Sequence, residues 1–410
     1  MCDYCPGRCL GGVEAIGGEE KMRQRKIPAV FMRGGTSKAV MFHQRDLPLD
    51  RSKWAELFVA ALGAGDASGR QLDGLGGGIS SLSKVCVIGP PTRSDADVDY
   101  TFVQLSPVSD QVDFSSSCGN MTAAVGPFAV DENLVTALGT EATIRIHNTN
   151  AGQMIISKFA LDEGCASVDG DFAVPGVSGR GAPIRLEFCL PGGSATGGLL
   201  PTGQALDVMQ IPGLGRIEVS LLDAGNPCVF VATDAMGLAG SEMPEVLDQQ
   251  AELLEQLEAV RCHASVAMGI TKNIDEAQAI VGIPKVALVS QAQRAVTLSG
   301  DELAEQECDI TLRMVSVGQP HRAIPVTGSI CAAVAARVPD TVVHRYCRDV
   351  PALEDFRIAH PSGVALVGAK VTNEGGEWTA ESAVLYRTAR RLMDGHVYVS
   401  AEKTPGLAAG

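Results

Sequence analysis

Long apolar runs are missing from this chain of 410 residues. Every hydrophobic stretch is broken well before the roughly 18 residues that a membrane span requires. A hydrophobic fraction of 45 % beside 20 % charged residues is that of a globular protein, and it predicts a soluble one with no membrane partner. A basic excess is missing too: 33 Lys and Arg face 48 Asp and Glu, for a formal net charge of −15. Nucleic-acid surfaces need clustered cations, so that partner class is excluded. A small anion is not excluded, because local positive groups and helix N-termini suffice for it. The first residues offer Cys, Asp, Pro and Gly where an export signal would offer a basic and then an apolar segment, which predicts a cytoplasmic location. No GxxxxGK(S/T), HExxH, GxSxG or strand-to-helix GxGxxG occurs. P-loop, zincin, nucleophile-elbow and dinucleotide chemistry are thereby set aside.

Twelve cysteines over this length do not make the dense framework of a small secreted domain, and most are expected to be buried thiols. Cys2, Cys5 and Cys9 have the short spacings of a metal knuckle, but no second CxxC or HxxxH follows to complete a tetrahedral site. Residues 1–25 are therefore expected to form a flexible, oxidisable tail, with no metal and no cofactor.

From Lys26 the chain alternates α and β signals. "KIPAVFMRGGTSKAVMF" reads as strand, glycine turn, strand, and "DGLGGGISSLSKVCVIG" as a glycine loop running into a strand. "SSSCGNMTAAVGPF" places a small-residue helix after Cys118. The layout then recurs: "LLDAGNPCVFVATD" echoes the first hairpin and "PVTGSICAAVAARV" echoes the small-residue helix. Two similar halves are expected, with the boundary near "PGGSATGGLLPTG". "PEVLDQQAELLEQLEAVRCHASVAMG" between the echoes predicts one long amphipathic helix. "VLYRTARRLMDGHVYVS" predicts a terminal strand with a basic turn that returns to the first half.

Two residues stand out chemically. Cys118, at a predicted helix N-terminus, would meet unsatisfied N–H groups and the helix dipole, which favour thiolate, although a core thiol at a helix start fits equally well. Lys84 enters an apolar strand, so it either snorkels to the surface or serves a site. "MRGGTSK" supplies Arg33, Thr36, Ser37 and Lys38, enough donors for one carboxylate, or merely a polar turn.

The segments "MRGGTSK", "DGLGGGISSLSK", "DADVDYTFVQ", "CGNMTAAVGPFA", "IHNTN", "LPTG", "GNPCVFV" and "HPSGV" with "RTARRLMDG" resemble, in order from about Ile27 to Val399, the PrpF family. That family includes methylitaconate Δ-isomerases, 2-methylaconitate isomerases, 4-oxalomesaconate tautomerases and aconitate Δ-isomerases. The resemblance implies an α+β, diaminopimelate-epimerase-like fold. Its two domains are similar, pseudo-twofold related, and each wraps a sheet round a central helix. It divides the chain into 26–198, joined by a returning strand 386–402, and 199–385. It also ranks the residues. Cys118 and Lys84 match the cleft Cys and Lys of the family and are the expected proton-transfer pair. Arg33, Thr36, Ser37, Ser80, Ser81, Gly119, Asn120, Asn226, Thr327, Gly328 and Ser329 are the expected substrate-binding residues. Epimerases of this fold carry a second catalytic Cys where this chain has "PVTGSI", which disfavours two-thiol racemisation. The implied activity is a cofactor-independent 1,3-allylic proton shift on a small unsaturated polycarboxylate, with a homodimer as the one assembly considered. The alternatives are a racemase or epimerase of the same fold, and a non-catalytic accessory protein for an iron–sulfur dehydratase.

Overall fold

Gly35, at φ +48°, lets the chain reverse within two residues, so that Gly34 pairs with Ser37 and the first two strands form a hairpin. The computed structural model describes residues 24–114, 117–351 and 354–407, so the Cys2–Cys5–Cys9 tail lies outside the described residues. The first half runs through β1 (Gln24–Gly34), β2 (Ser37–His43), β3 (Lys84–Gly89), β4 (Val98–Leu105), β5 (Glu141–Asn148), β6 (Gln153–Asp162) and β7 (Ile184–Cys189). Consecutive pairings are antiparallel, parallel, antiparallel, parallel, antiparallel and antiparallel. The second half runs through β8 (Gly215–Ala224), β9 (Asn226–Ala232), β10 (Lys285–Gln291), β11 (Ile310–Ser316), β12 (Phe356–His360), β13 (Gly363–Glu374) and β14 (Glu377–Arg387). Its pairings repeat the same sequence of directions. The echo in the sequence is therefore a duplicated ladder.

The halves are joined twice. β14 pairs antiparallel with β7, from Arg387 opposite Ile184 to Ser382 opposite Cys189. The last strand, β15 (Ala389–Ser400), lies along the whole of β1. The expected basic turn at "RTARR" is instead a junction: β14 ends at Arg387 and β15 starts two residues later, so the chain passes directly from one half to the other.

Each half wraps one helix, α2 (Gly119–Asp131) in the first and α4 (Val326–Ala335) in the second. Both consist almost wholly of small and apolar residues, and nearly every residue in them is buried. This is what a helix enclosed on all sides requires. A Cβ on Gly126 would lie 2.7 Å from Ser157 Oγ, so the sheet approaches α2 more closely than alanine permits. The outer faces are covered by α1 (Trp54–Leu62) and α3 (Ala251–Ala267), each with its own apolar cluster.

The single long helix expected before α3 is broken. Pro244–Asp248 forms a short helix, and α3 begins at Ala251. Leu247 and Leu253 are both buried in the α3 cluster. In one straight helix, at about 100° per residue, they would point about 120° apart, so the break lets both reach the sheet. Among the described residues no helix is long and apolar enough to cross a membrane.

Candidate active site

Lys84 is the first residue of β3, and strand alternation puts it on the same face as Cys86, toward α2. Their antiparallel partners on β4 are Gln104 and Phe102. Lys84 is 7 % exposed; its Nζ donates to Gln104 Oε1 and lies 5.1 Å from the centre of the Phe102 ring. Gln104 is itself oriented, because its amide nitrogen donates to the carbonyls of Ser80 and Ser83, each at 3.0 Å. The glycine loop before Lys84 wraps the side chain of Gln71. Gln71 Oε1 accepts from Gly78 N–H at 2.9 Å and from Ser83 Oγ at 2.6 Å, and a Cβ on Gly76 would lie 2.3 Å from Gln71 Nε2. These glycines build the platform under the lysine.

Cys118 is the N-cap of α2 and is half-buried. Its carbonyl accepts from Thr122 N–H and Thr122 Oγ1, each at 3.0 Å, and the Cys118 side chain itself makes no capping hydrogen bond. The approach to Cys118 is braced by the "IHNTN" asparagines. Asn148 donates to Ser117 Oγ at 2.7 Å, and Asn150 donates to the carbonyls of Phe102 at 2.8 Å and Phe114 at 2.6 Å. Burial pushes the Cys86 thiol far up; Cys118 pushes it further, while Lys84 pulls it down. Cys86, two residues on from Lys84, is buried in the apolar cluster against which Cys118 packs.

Asn120 joins the hairpin to the helix, donating to Thr36 Oγ1 at 3.1 Å and accepting from Arg387 Nε at 3.1 Å. Arg387 is 8 % exposed, and burial pulls its pKa down to about 10, so it stays a cation at neutral pH. Arg33 Nη1 donates to the carbonyls of Gly35 at 3.0 Å and Thr388 at 2.9 Å; burial, with Arg390 nearby, lowers its pKa. It braces the turn. Ser37 is buried in the same hairpin; Ser80 is exposed and Ser81 half-buried in the single turn ahead of Lys84.

The second half meets this group at its own helix start. A Cβ on Gly119 would lie 2.2 Å from Val326 Cγ1, so the N-termini of α2 and α4 touch. Thr327 is half-buried there and Gly328 is packed on Met314. Ser329 turns away: it is fully buried and donates to the Val326 carbonyl at 2.7 Å. Asn226 stands in the second half's hairpin, where its Oδ1 is buried without a partner among the described residues. The start of α4 is Pro325, Val326 and Thr327, with no thiol, and Cys331 is fully buried with its sulfur toward the Leu222 carbonyl. A two-thiol arrangement is absent from the described residues.

Gln104 and Arg387 went unread in the sequence, as did His321, which bonds Ser316 Oγ through Nε2 at 2.6 Å and whose pKa burial and Lys285 lower to about 4. Gln104 ends the segment "DADVDYTFVQ" and Arg387 begins "RTARRLMDG", so membership of those motifs was the available signal for these two. A surface cavity of about 590 Å3 lined by Val59, Gly63, Asp66 and Lys403 contains none of these residues. Among the described residues no three His, Cys, Asp or Glu side chains are gathered as a metal site.

The chain is similar to the 3-methylitaconate isomerase of Eubacterium barkeri, 38 % identical over 382 residues that cover 93 % of this chain and 99 % of the relative. It is also similar to the 2-methyl-aconitate isomerase of Shewanella oneidensis, 35 % identical over 92 % of this chain and 97 % of the relative. The crystal structure of a methylitaconate-delta-isomerase superimposes with a TM-score of 0.86 at 37 % identity, over 95 % of this chain and 99 % of that one. With the PrpF protein profile matching residues 24–400, the chain belongs to the PrpF family.

Proposed function

We propose that this protein moves a C=C bond within a small unsaturated di- or tricarboxylate by a 1,3-allylic proton shift. The relatives named above are isomerases, and this chain is an isomerase of small carboxylates. What supports this reading is that Lys84 heads β3 on the face toward α2 and Cys118 is the N-cap of α2, the helix start that touches its counterpart in the second half. One of the pair removes a proton from the sp3 carbon next to the double bond. The electron pair moves into a new C=C, the old one opens toward the far carbon, and the other group delivers a proton there. Atoms and charge balance without an external electron acceptor. Negative charge passes through the conjugated carboxylate on the way, and the first-turn amides of α2 and α4 are donors for it. Asn120, Thr36 and Arg387 hold a substrate carboxylate at the first-half hairpin.

The substrate is a methylitaconate, 2-methylaconitate, aconitate or oxalomesaconate type of acid, met in the cytoplasm. Acids of this set differ by a methyl or a carboxylate, a difference that one or two pocket residues can set. Incubation in deuterated water with each of the four, followed by proton NMR, tests the reading. Double-bond migration with deuterium incorporation in at least one acid is expected, and unchanged spectra for all four would overturn it.

A further inference from the structure

The start of β10, "PKVALV", repeats the start of β3, "SKVCVI", and the register repeats with it. Lys84 stands beside Ala39 on the parallel neighbour and opposite Gln104 on the antiparallel one. Lys285 stands beside Cys228 and, one step before the Val286–Val315 pair, next to Ser316. Two residues on from Lys285 is Ala287, whose partner Met314 packs on α4: a Cβ on Gly328 would lie 2.4 Å from the Met314 sulfur. Lys285 is therefore on the α4 side of its strand, at the end where α4 begins, as Lys84 is for α2. Since Gly119 and Val326 touch, the two lysines bracket one junction of helix starts.

Their surroundings differ. Lys84 is tethered to Gln104 and lies over Phe102. Lys285 is half-buried, and among the described residues its side chain has no hydrogen bond or ion pair; the serine in Gln104's place bonds His321 instead. Burial lowers the Lys285 pKa. A cation largely withdrawn from water without a counter-charge costs stability until an anion arrives, and an arriving carboxylate gains a charge-assisted bond.

We propose that Lys285 is the substrate-binding cation of the second half, holding a carboxylate that lies away from the reacting carbons while Lys84 works at them. This rests on the polycarboxylate isomerase reading above. The probe that separates the two is tricarballylate, a saturated tricarboxylate that cannot isomerise. Its binding to wild type, Lys285→Gln, Lys285→Met and Lys285→Arg is measured by calorimetry, alongside KM, kcat and thermal melting. Lys285→Gln and Lys285→Met should weaken tricarballylate binding and raise KM tenfold to a hundredfold, with kcat within about threefold, and Lys285→Arg should recover most of the loss. Lys285→Met should melt no lower than wild type, because an unpaired cation is removed; a structural lysine would lower the melting temperature. Binding by Lys285→Gln within twofold of wild type overturns the proposal. A wild type that binds tricarballylate but isomerises no acid overturns the isomerase reading alone, because the variant comparison still decides Lys285. A wild type that binds no polycarboxylate overturns both.

Discussion

Replacing Gly119 by alanine should disable the enzyme far more than it destabilises it. The added methyl would lie 2.2 Å from Val326 Cγ1 and 2.8 Å from Val326 Cβ, where ordinary contacts begin at 3.4 Å. The helix starts must therefore separate by about 1.2 Å or distort to that extent, since packed interiors have no spare volume. Overpacking of this kind costs about 1–3 kcal/mol, and alanine returns about 1 kcal/mol of helix propensity, so the net loss of stability is about 0–2 kcal/mol. Catalysis is less forgiving: a displacement near 1 Å between reacting groups costs about a hundredfold in rate. The assay is kcat on whichever acid the wild type turns over, with thermal melting alongside. The second site grades the rescue. Val326→Ala in the Gly119→Ala background removes the 2.2 Å contact but leaves the 2.8 Å one and should restore activity incompletely, whereas Val326→Gly removes both and should restore more. Gly119→Ala with kcat within twofold of wild type would refute the claim that the junction of helix starts forms the site.

Lys84→Ala and Cys118→Ala should each lower kcat by about a hundredfold to ten-thousandfold, the range for a positioned acid or base, with smaller changes in KM. In deuterated water the variant that keeps the base should exchange a substrate proton without isomerising; near wild-type turnover by both would remove the pair from the mechanism. Gln104→Leu should leave Lys84 untethered and lower kcat about tenfold with KM within threefold, read by steady-state kinetics. His360 supplies a pH prediction. Burial first, then Arg387 and Arg313, lowers its pKa to about 3 from 6.5, and it is 4 % exposed. Between these values the unfolded chain binds the proton and the folded chain does not, so stability is full above pH 6.5 and is lost as pH falls toward 3. One proton contributes up to about 1.4 kcal/mol per pH unit, and urea midpoints from pH 7 to 4.5 should flatten by that slope in His360→Asn.

The motifs around Cys118 and Lys84 could be read from the chain because each is local: a thiol before a small-residue helix, and a lysine at the head of an apolar strand. The duplication could be read for the same reason, as two glycine hairpins each followed by a buried helix. Gln104 could not be singled out, because its role comes from register. It lies 20 residues from Lys84 and meets it only when β3 and β4 pair. Arg387 reaches Asn120 across 267 residues by way of the junction at the end of β14. The break ahead of α3 was hidden by amphipathic spacing that suits one helix, and it exists because both Leu247 and Leu253 are drawn to the same sheet. For Arg33 the sequence shows a guanidinium in a polar turn, but not the two carbonyls that Nη1 holds, which come together only when β1, β2 and β15 pair.

Because the two halves share one ladder, position-by-position comparison shows what each has kept. At the helix start, the first half has Cys118 and the second Pro325, a residue that can neither take nor give a proton. At the strand head both have lysine, but only Lys84 is aimed by a glutamine. Across from the lysine, Gln104 fixes a cation where Ser316 bonds a neutral imidazole. On the proposed reading these differences divide the work: the first half supplies a thiol and an aimed lysine for moving protons, and the second an unpaired cation for holding an anion. A pair divided in this manner suits a reaction in which both proton transfers occur within one planar allyl unit and the remaining carboxylates need only be held.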